Sequence, residues 1–128
     1  AGLALGLAAH SEVDVVGVAV CDDRAYFDEV VGRIVRAVDA DAAPAWTILE
    51  GYKGTGYAQA TRDELAFYAH VARAEGLILD PVYTGKAFRA LYEETQAGRW
   101  RGDGATVFLH TGGIFGLFSF AQELDAVI

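Results

Sequence analysis

The 128 residues contain a single cysteine, Cys21, so no internal disulfide can form, and the chain suits a reducing compartment such as the cytoplasm. Basic residues are scarce: ten Lys and Arg stand against eighteen Asp and Glu, for a net charge of -8. That balance argues against nucleic acid as a partner, because neutralising phosphates takes clustered cations. It offers no means of docking on an anionic membrane surface, and no apolar run approaches the length of a membrane span. The acidity reads as solubility. The opening AGLALGLAAH is apolar but has no basic flank, so it does not read as a signal peptide. It starts on Ala and in mid-pattern, and further sequence is expected upstream. Three histidines and one distant cysteine match no zinc-ligand spacing, so no metal is expected. The only serines, Ser11 and Ser119, sit in no Gly-x-Ser-x-Gly elbow. No internal repeat or low-complexity tract is visible.

Hydrophobic residues make up 53% of the chain and charged ones 22%, which fits one soluble globular domain with a core of its own. Ala1 to His10 reads as the end of a helix. Val13 to Val20 (VDVVGVAV) is nearly continuously apolar and β-branched, as in a strand buried on both faces. Asp22 and Asp23 are N-cap candidates for a helix through about Ala40, whose Phe27, Val30, Val31, Ile34 and Val35 recur at helical spacing. A linker around Pro44 leads to Trp46–Leu49 and a glycine-rich loop, Gly51 to Gly56. Thr61 with Glu64 three residues on predicts a capping box, and Gly76 ends the helix it opens. Leu77 to Leu79 reads as a short strand before Asp80-Pro81. Gly85 to Gln96 reads as a helix that stops by Gly98, Arg101 to Gly104 as a turn, and Thr106 to His110 as a strand. Strands separated by helices predict an α/β fold with a parallel sheet and crossover helices.

Three constellations could carry chemistry. In Gly51-Tyr52-Lys53-Gly54-Thr55-Gly56-Tyr57, glycines let the backbone approach a ligand, and Tyr57 is set to reach out of the loop. A surface turn with packed tyrosines is the alternative, and no Gly-Lys-Ser/Thr makes it a Walker loop. In Asp80-Pro81-Val82-Tyr83-Thr84-Gly85-Lys86 a strand gives way to a helix, the place where open α/β sheets gather ligands and where free amides favour an anion. There Thr84 could instead cap the helix while Tyr83 packs. Lys86, one of only two lysines, invites a Schiff-base role, but its position in a first helical turn reads as solvated or anion-facing. In His110-Thr111-Gly112-Gly113 a strand end presents a hydroxyl and backbone amides. The turn itself could satisfy Thr111, and His110 reads as hydrogen-bonded or packed.

Residues Gly51 to about Phe120 resemble the C-terminal third of the D-cysteine desulfhydrase and 1-aminocyclopropane-1-carboxylate deaminase family, fold-type II pyridoxal-phosphate enzymes similar to the tryptophan synthase β subunit. The matching stretches are Gly54-Thr55-Gly56-Tyr57 with Thr61, then Glu75 to Ala87 (EGLILDPVYTGKA), then Phe108 to Gly113 (FLHTGG). The middle one is long and distinctive. Ala1-Gly2-Leu3 resembles the residues after the family's phosphate-binding loop.

The resemblance implies that residues 1–128 are the C-terminal portion of an enzyme domain, an incomplete fold-type II structure whose cofactor is pyridoxal 5'-phosphate. It implies Tyr83 as the group acting on the substrate's reacting carbons and Tyr57 as its supporting tyrosine. Thr111 is assigned to the pyridine nitrogen, with Thr84 as the alternative and Gly112 beside the cofactor. The deaminases carry a glutamate after the first tyrosine and a leucine before the two glycines. Thr84 and Thr111 stand there, which leans to the desulfhydrases. The implied reaction is α,β-elimination from a small amino acid, giving a 2-oxo acid, ammonia and sulfide, in a homodimer when full length. Aminocyclopropane-carboxylate deaminase or cysteate lyase activity, or a non-catalytic binding module, are the alternatives. The cofactor lysine and phosphate loop are expected upstream. Lys53 and Lys86 fall where the family does not place the covalent bond, so the chain alone is expected to be inactive.

Overall fold

The computed structural model describes residues 1–10, 13–100 and 104–128. Helix α1 (Gly2–Leu7) is shorter than the expected stretch to His10. Strand β1 (Val16–Val18), helix α2 (Arg24–Val38) and strand β2 (Thr47–Leu49) form a parallel crossover unit, with Val16 opposite Thr47 and Val18 opposite Leu49. The Asp23 carboxylate caps α2 by accepting the Tyr26 amide at 2.8 Å. The Trp46 indole donates to Asp28 at 2.9 Å, tying the start of β2 to the helix. Gly17 lies close to the partner strand: a Cβ there would stand 2.9 Å from Ile48 Cδ1, so that side chain would have to shift.

The rest of the chain packs around α3 (Arg62–Glu75) and α4 (Thr84–Gln96). The capping box of α3 is formed: Thr61 Oγ1 accepts the Glu64 amide, and Glu64 accepts the Thr61 amide at 2.7 Å. Gly76 ends the helix in the left-handed conformation, φ 65°. Leu65, Tyr68, Val71, Leu79 and Phe120 form the core, with Phe67, Phe88, Phe108 and Leu124 packed against it. Phe120 closes a 3-10 turn (Ile114–Phe120) that leads into α5 (Ala121–Asp125), neither of which the sequence pattern announced.

Three expectations need correction. The strand at Val13–Val20 is only three residues long, and Val13 and Val16 are exposed, because a pair of strands cannot cover both faces of either one. Leu77–Leu79 and Thr106–His110 do not form strands. A strand exists only where a neighbour completes its ladder, and among the described residues the sheet ends at two strands. Their side chains still alternate: Leu79 is buried while Ile78, Val107 and Leu109 face out. The turn expected over Arg101–Gly104 falls mainly on residues 101–103, outside the described residues.

Candidate functional site

The glycine-rich loop and the start of α4 bring two phenols together. Tyr57 and Tyr83 lie hydroxyl to hydroxyl at 2.7 Å, with ring centroids 6.0 Å apart and planes at 65°. Both rings are exposed, so the pair faces outward and does not sit in the core. The hydrogen bond with Tyr57 is the main cause that raises the Tyr83 phenol above its ordinary range. Desolvation and the charges of Cys21 and Asp80 add to it. The contact thus favours the phenol form of Tyr83 over its anion.

Asp80 builds the helix start that carries Tyr83. Its carboxylate accepts the amides of Val82, Tyr83 and Thr84 at 2.8–2.9 Å, and the Thr84 hydroxyl donates to it at 2.5 Å. The same hydroxyl accepts the Asp80 amide at 2.9 Å. Thr84 is thus not the cap but the first helical residue, buried, with its hydroxyl fully engaged. The anion expected at these amides is the protein's own carboxylate, which leaves them closed to an external phosphate. Asp-Pro ahead of Tyr-Thr-Gly was the available signal, since Asp accepts amides from residues two and three ahead.

The Thr111-Gly112-Gly113 turn lies against the same carboxylate. A Cβ on Gly113 would stand 2.7 Å from Asp80 Oδ2, and Gly112 and Gly113 both take positive φ, 101° and 92°. Thr111 is exposed. His110 spends both ring nitrogens: Nδ1 accepts the Gly112 amide at 3.1 Å, which leaves Nε2–H to donate to the Ile78 carbonyl at 2.9 Å. It is a hydrogen-bonded histidine that fixes the turn. Among the described residues no group of three or more His, Cys, Asp or Glu could hold a metal.

Lys86 is not solvated. It is 1% exposed, and its ammonium donates to the carbonyls of Lys53 at 2.7 Å and Gly56 at 2.8 Å. Burial lowers its pKa, and the Glu64 carboxylate partly opposes that. Its position in the first helical turn suggested exposure; its direction toward the loop above is a tertiary fact.

The pattern of the family described as pyridoxal-phosphate dependent enzyme matches residues 1–112. The chain belongs to the pyridoxal-phosphate-dependent enzyme family. It is 36% identical over 112 residues to a bifunctional D-cysteine desulfhydrase/1-aminocyclopropane-1-carboxylate deaminase, mitochondrial, of Arabidopsis thaliana, covering 85% of this chain and 28% of that protein. It is 32% identical over 130 residues to a D-cysteine desulfhydrase of Yersinia enterocolitica, covering 97% of this chain and 39% of the relative. A crystal structure described as an ACC deaminase homologue superposes with a TM-score of 0.83 at 30% identity, over 99% of this chain and 40% of that one. The fold is thus a partial fold-type II pyridoxal-phosphate enzyme, α/β with a parallel sheet, and the chain spans two-fifths or less of the length of these relatives.

Pyridoxal phosphate is the family's cofactor. The residues present fit the ring side of such a group: an exposed threonine hydroxyl, a turn with two positive-φ glycines, and a pair of outward phenols. They do not supply its phosphate seat at α4, whose amides Asp80 occupies.

Proposed function

We propose that the whole protein to which this chain belongs eliminates a β-leaving group from a small amino acid, as a D-cysteine desulfhydrase does, giving sulfide, ammonia and a 2-oxo acid with consumption of one water. The observation that carries this reading is the 2.7 Å contact between the Tyr57 and Tyr83 hydroxyls. Bound pyridoxal phosphate supplies the electron sink for such a reaction. Tyr83 holds the proton beside the substrate's reacting carbons, and Tyr57 hydrogen-bonds it and fixes its hydroxyl. Thr111 faces the pyridine nitrogen and Gly112 flanks the ring. The full engagement of Thr84 by Asp80 supports Thr111 for that role. A neutral hydroxyl leaves the nitrogen less protonated than a carboxylate partner would.

Thr84 also leans to a desulfhydrase over a deaminase, since the deaminases carry a glutamate at that place and the threonine here closes on Asp80. The covalent lysine belongs to the part of the protein outside residues 1–128, and the carbonyl contacts of the Lys86 ammonium support that. The whole protein is expected to show the absorbance of lysine-bound pyridoxal phosphate and to release sulfide from D-cysteine. Without the band the cofactor reading fails, and a band with turnover only of the cyclopropane amino acid moves the protein to the deaminases. Tyr83→Phe should keep the band and abolish sulfide release, so retained turnover overturns the role of Tyr83.

A further inference from the structure

The only buried ammonium among the described residues donates to backbone. Lys86 Nζ meets two carbonyls of the glycine-rich loop, one of them on Gly56, the residue before Tyr57. Its own backbone lies in the first turn of α4, three residues after Tyr83. One side chain therefore spans the two segments that supply the phenol pair. Gly54 shows how tightly the loop is seated: it takes φ 65°, and a Cβ there would stand 2.9 Å from Glu64 Oε1 and 3.7 Å from Lys86 Cε. The loop has no helix or strand, only turns such as the Gln59 amide on the Gly56 carbonyl at 3.4 Å, with Tyr52 bonded to Glu94 at 3.1 Å, and its outward residues Lys53, Thr55 and Tyr57 are exposed. A loop of this kind needs an external anchor to hold one conformation.

We propose that Lys86 is a positioning residue whose ammonium ties the Tyr57 loop to the helix bearing Tyr83 and thereby fixes the hydrogen-bonded tyrosine pair. Its functional consequence rests on the reading of that pair as the groups facing the substrate. Hydrogen bonds from a charged donor are among the stronger ones in a protein. Two of them converging on one short loop exceed the ordering cost of a single lysine side chain. Methionine has a similar unbranched stem and no donor, so Lys86→Met removes the tether while keeping most of the packing.

The loop carries its own reporter. Trypsin cuts after Lys53, and the carbonyl of that scissile bond is one of the two that Lys86 holds. In the cofactor-loaded whole protein, Lys86→Met should raise cleavage after Lys53 at least about tenfold, because cleavage of an opened segment follows its open population. Cleavage at other sites and the melting temperature should change little. An unchanged cleavage rate in a folded variant overturns the tether. A variant that does not fold leaves a test on the wild type: an acetylating reagent should modify Lys86 at least about tenfold more slowly than Lys53, as expected for an amine that reacts only on local opening. Equal rates overturn it.

The activity arm separates positioning from general support. Lys86→Met should lower kcat about ten- to a hundredfold with little change in KM, and should add almost nothing in a Tyr57→Phe background, because both changes break one unit. Equal losses in the two backgrounds overturn the positioning role. If the whole protein shows neither cofactor band nor sulfide release, the proposed function falls, while the cleavage result still decides whether Lys86 holds the loop.

Discussion

Asp80 makes more of the site than either tyrosine, although it touches neither phenol. A buried carboxylate that accepts three amides and a hydroxyl sets the backbone of residues 82–84. Asp80→Ala should therefore cost about 2–4 kcal/mol of folding stability in a denaturant titration, above the usual loss for an exposed cap. The Tyr57–Tyr83 contact has its own signature in pH. Tyr83 is raised above an unfolded value of about 10, so the fold favours its protonated form. The stability this contributes is fully present below about pH 10 and is lost as pH rises through the raised value. The melting-temperature advantage of the wild type over Tyr57→Phe should accordingly shrink on the alkaline side. At this scale the sequence was legible where chemistry is local: Tyr57, Tyr83 and the Thr61–Glu64 capping box stand in short recognisable stretches. The burial of Lys86 was not legible, since nothing within a helical turn says which neighbour a long side chain will meet.

Helix α4 shows how a propensity argument can fail in a named place. Gly85 lies in its first turn, where alanine would gain about 1 kcal/mol of helix propensity. Yet a Cβ at that position would stand 2.7 Å from both the Asp80 carbonyl oxygen and Tyr68 Cζ. One of those neighbours is backbone and the other a ring buried in the core, so neither yields cheaply. Gly85→Ala should destabilise by about 1–3 kcal/mol net, measured by chemical denaturation, despite the better helix former. Helices were legible because their signals are local: the N-cap Asp23, the capping box and the Gly76 stop all act within four residues. Leu77–Leu79 and Thr106–His110 have strand composition and strand alternation without a ladder, because pairing depends on residues far away in the chain.

The molecule as a whole keeps a large apolar surface open to water. Val107, Phe115 and Phe118 are each more than three-quarters exposed, and Leu109 and Ile78 more than half. Phe115 and Phe118 stack with ring centroids 6.4 Å apart, and exposed apolar side chains of this kind attract hydrophobic ligands. The 128-residue chain by itself is expected to enhance the fluorescence of a hydrophobic dye such as ANS, and to do so less once Phe115 and Phe118 are replaced by Ser. Incubated with pyridoxal phosphate and then reduced with borohydride, it should carry no adduct on Lys86, as peptide mass mapping would read.

The carboxylate of Asp80 has one more effect, on the electric field. Helix α4 begins at the tyrosine pair, and a bare helix start would project a positive potential there. The Asp80 carboxylate accepts the amides at that point and so opposes the dipole of α4 at its start. The Asp80 charge and the Tyr57 hydrogen bond act in the same sense, both favouring the phenol form of Tyr83. A ligand that brought positive charge to the pair would work against both effects.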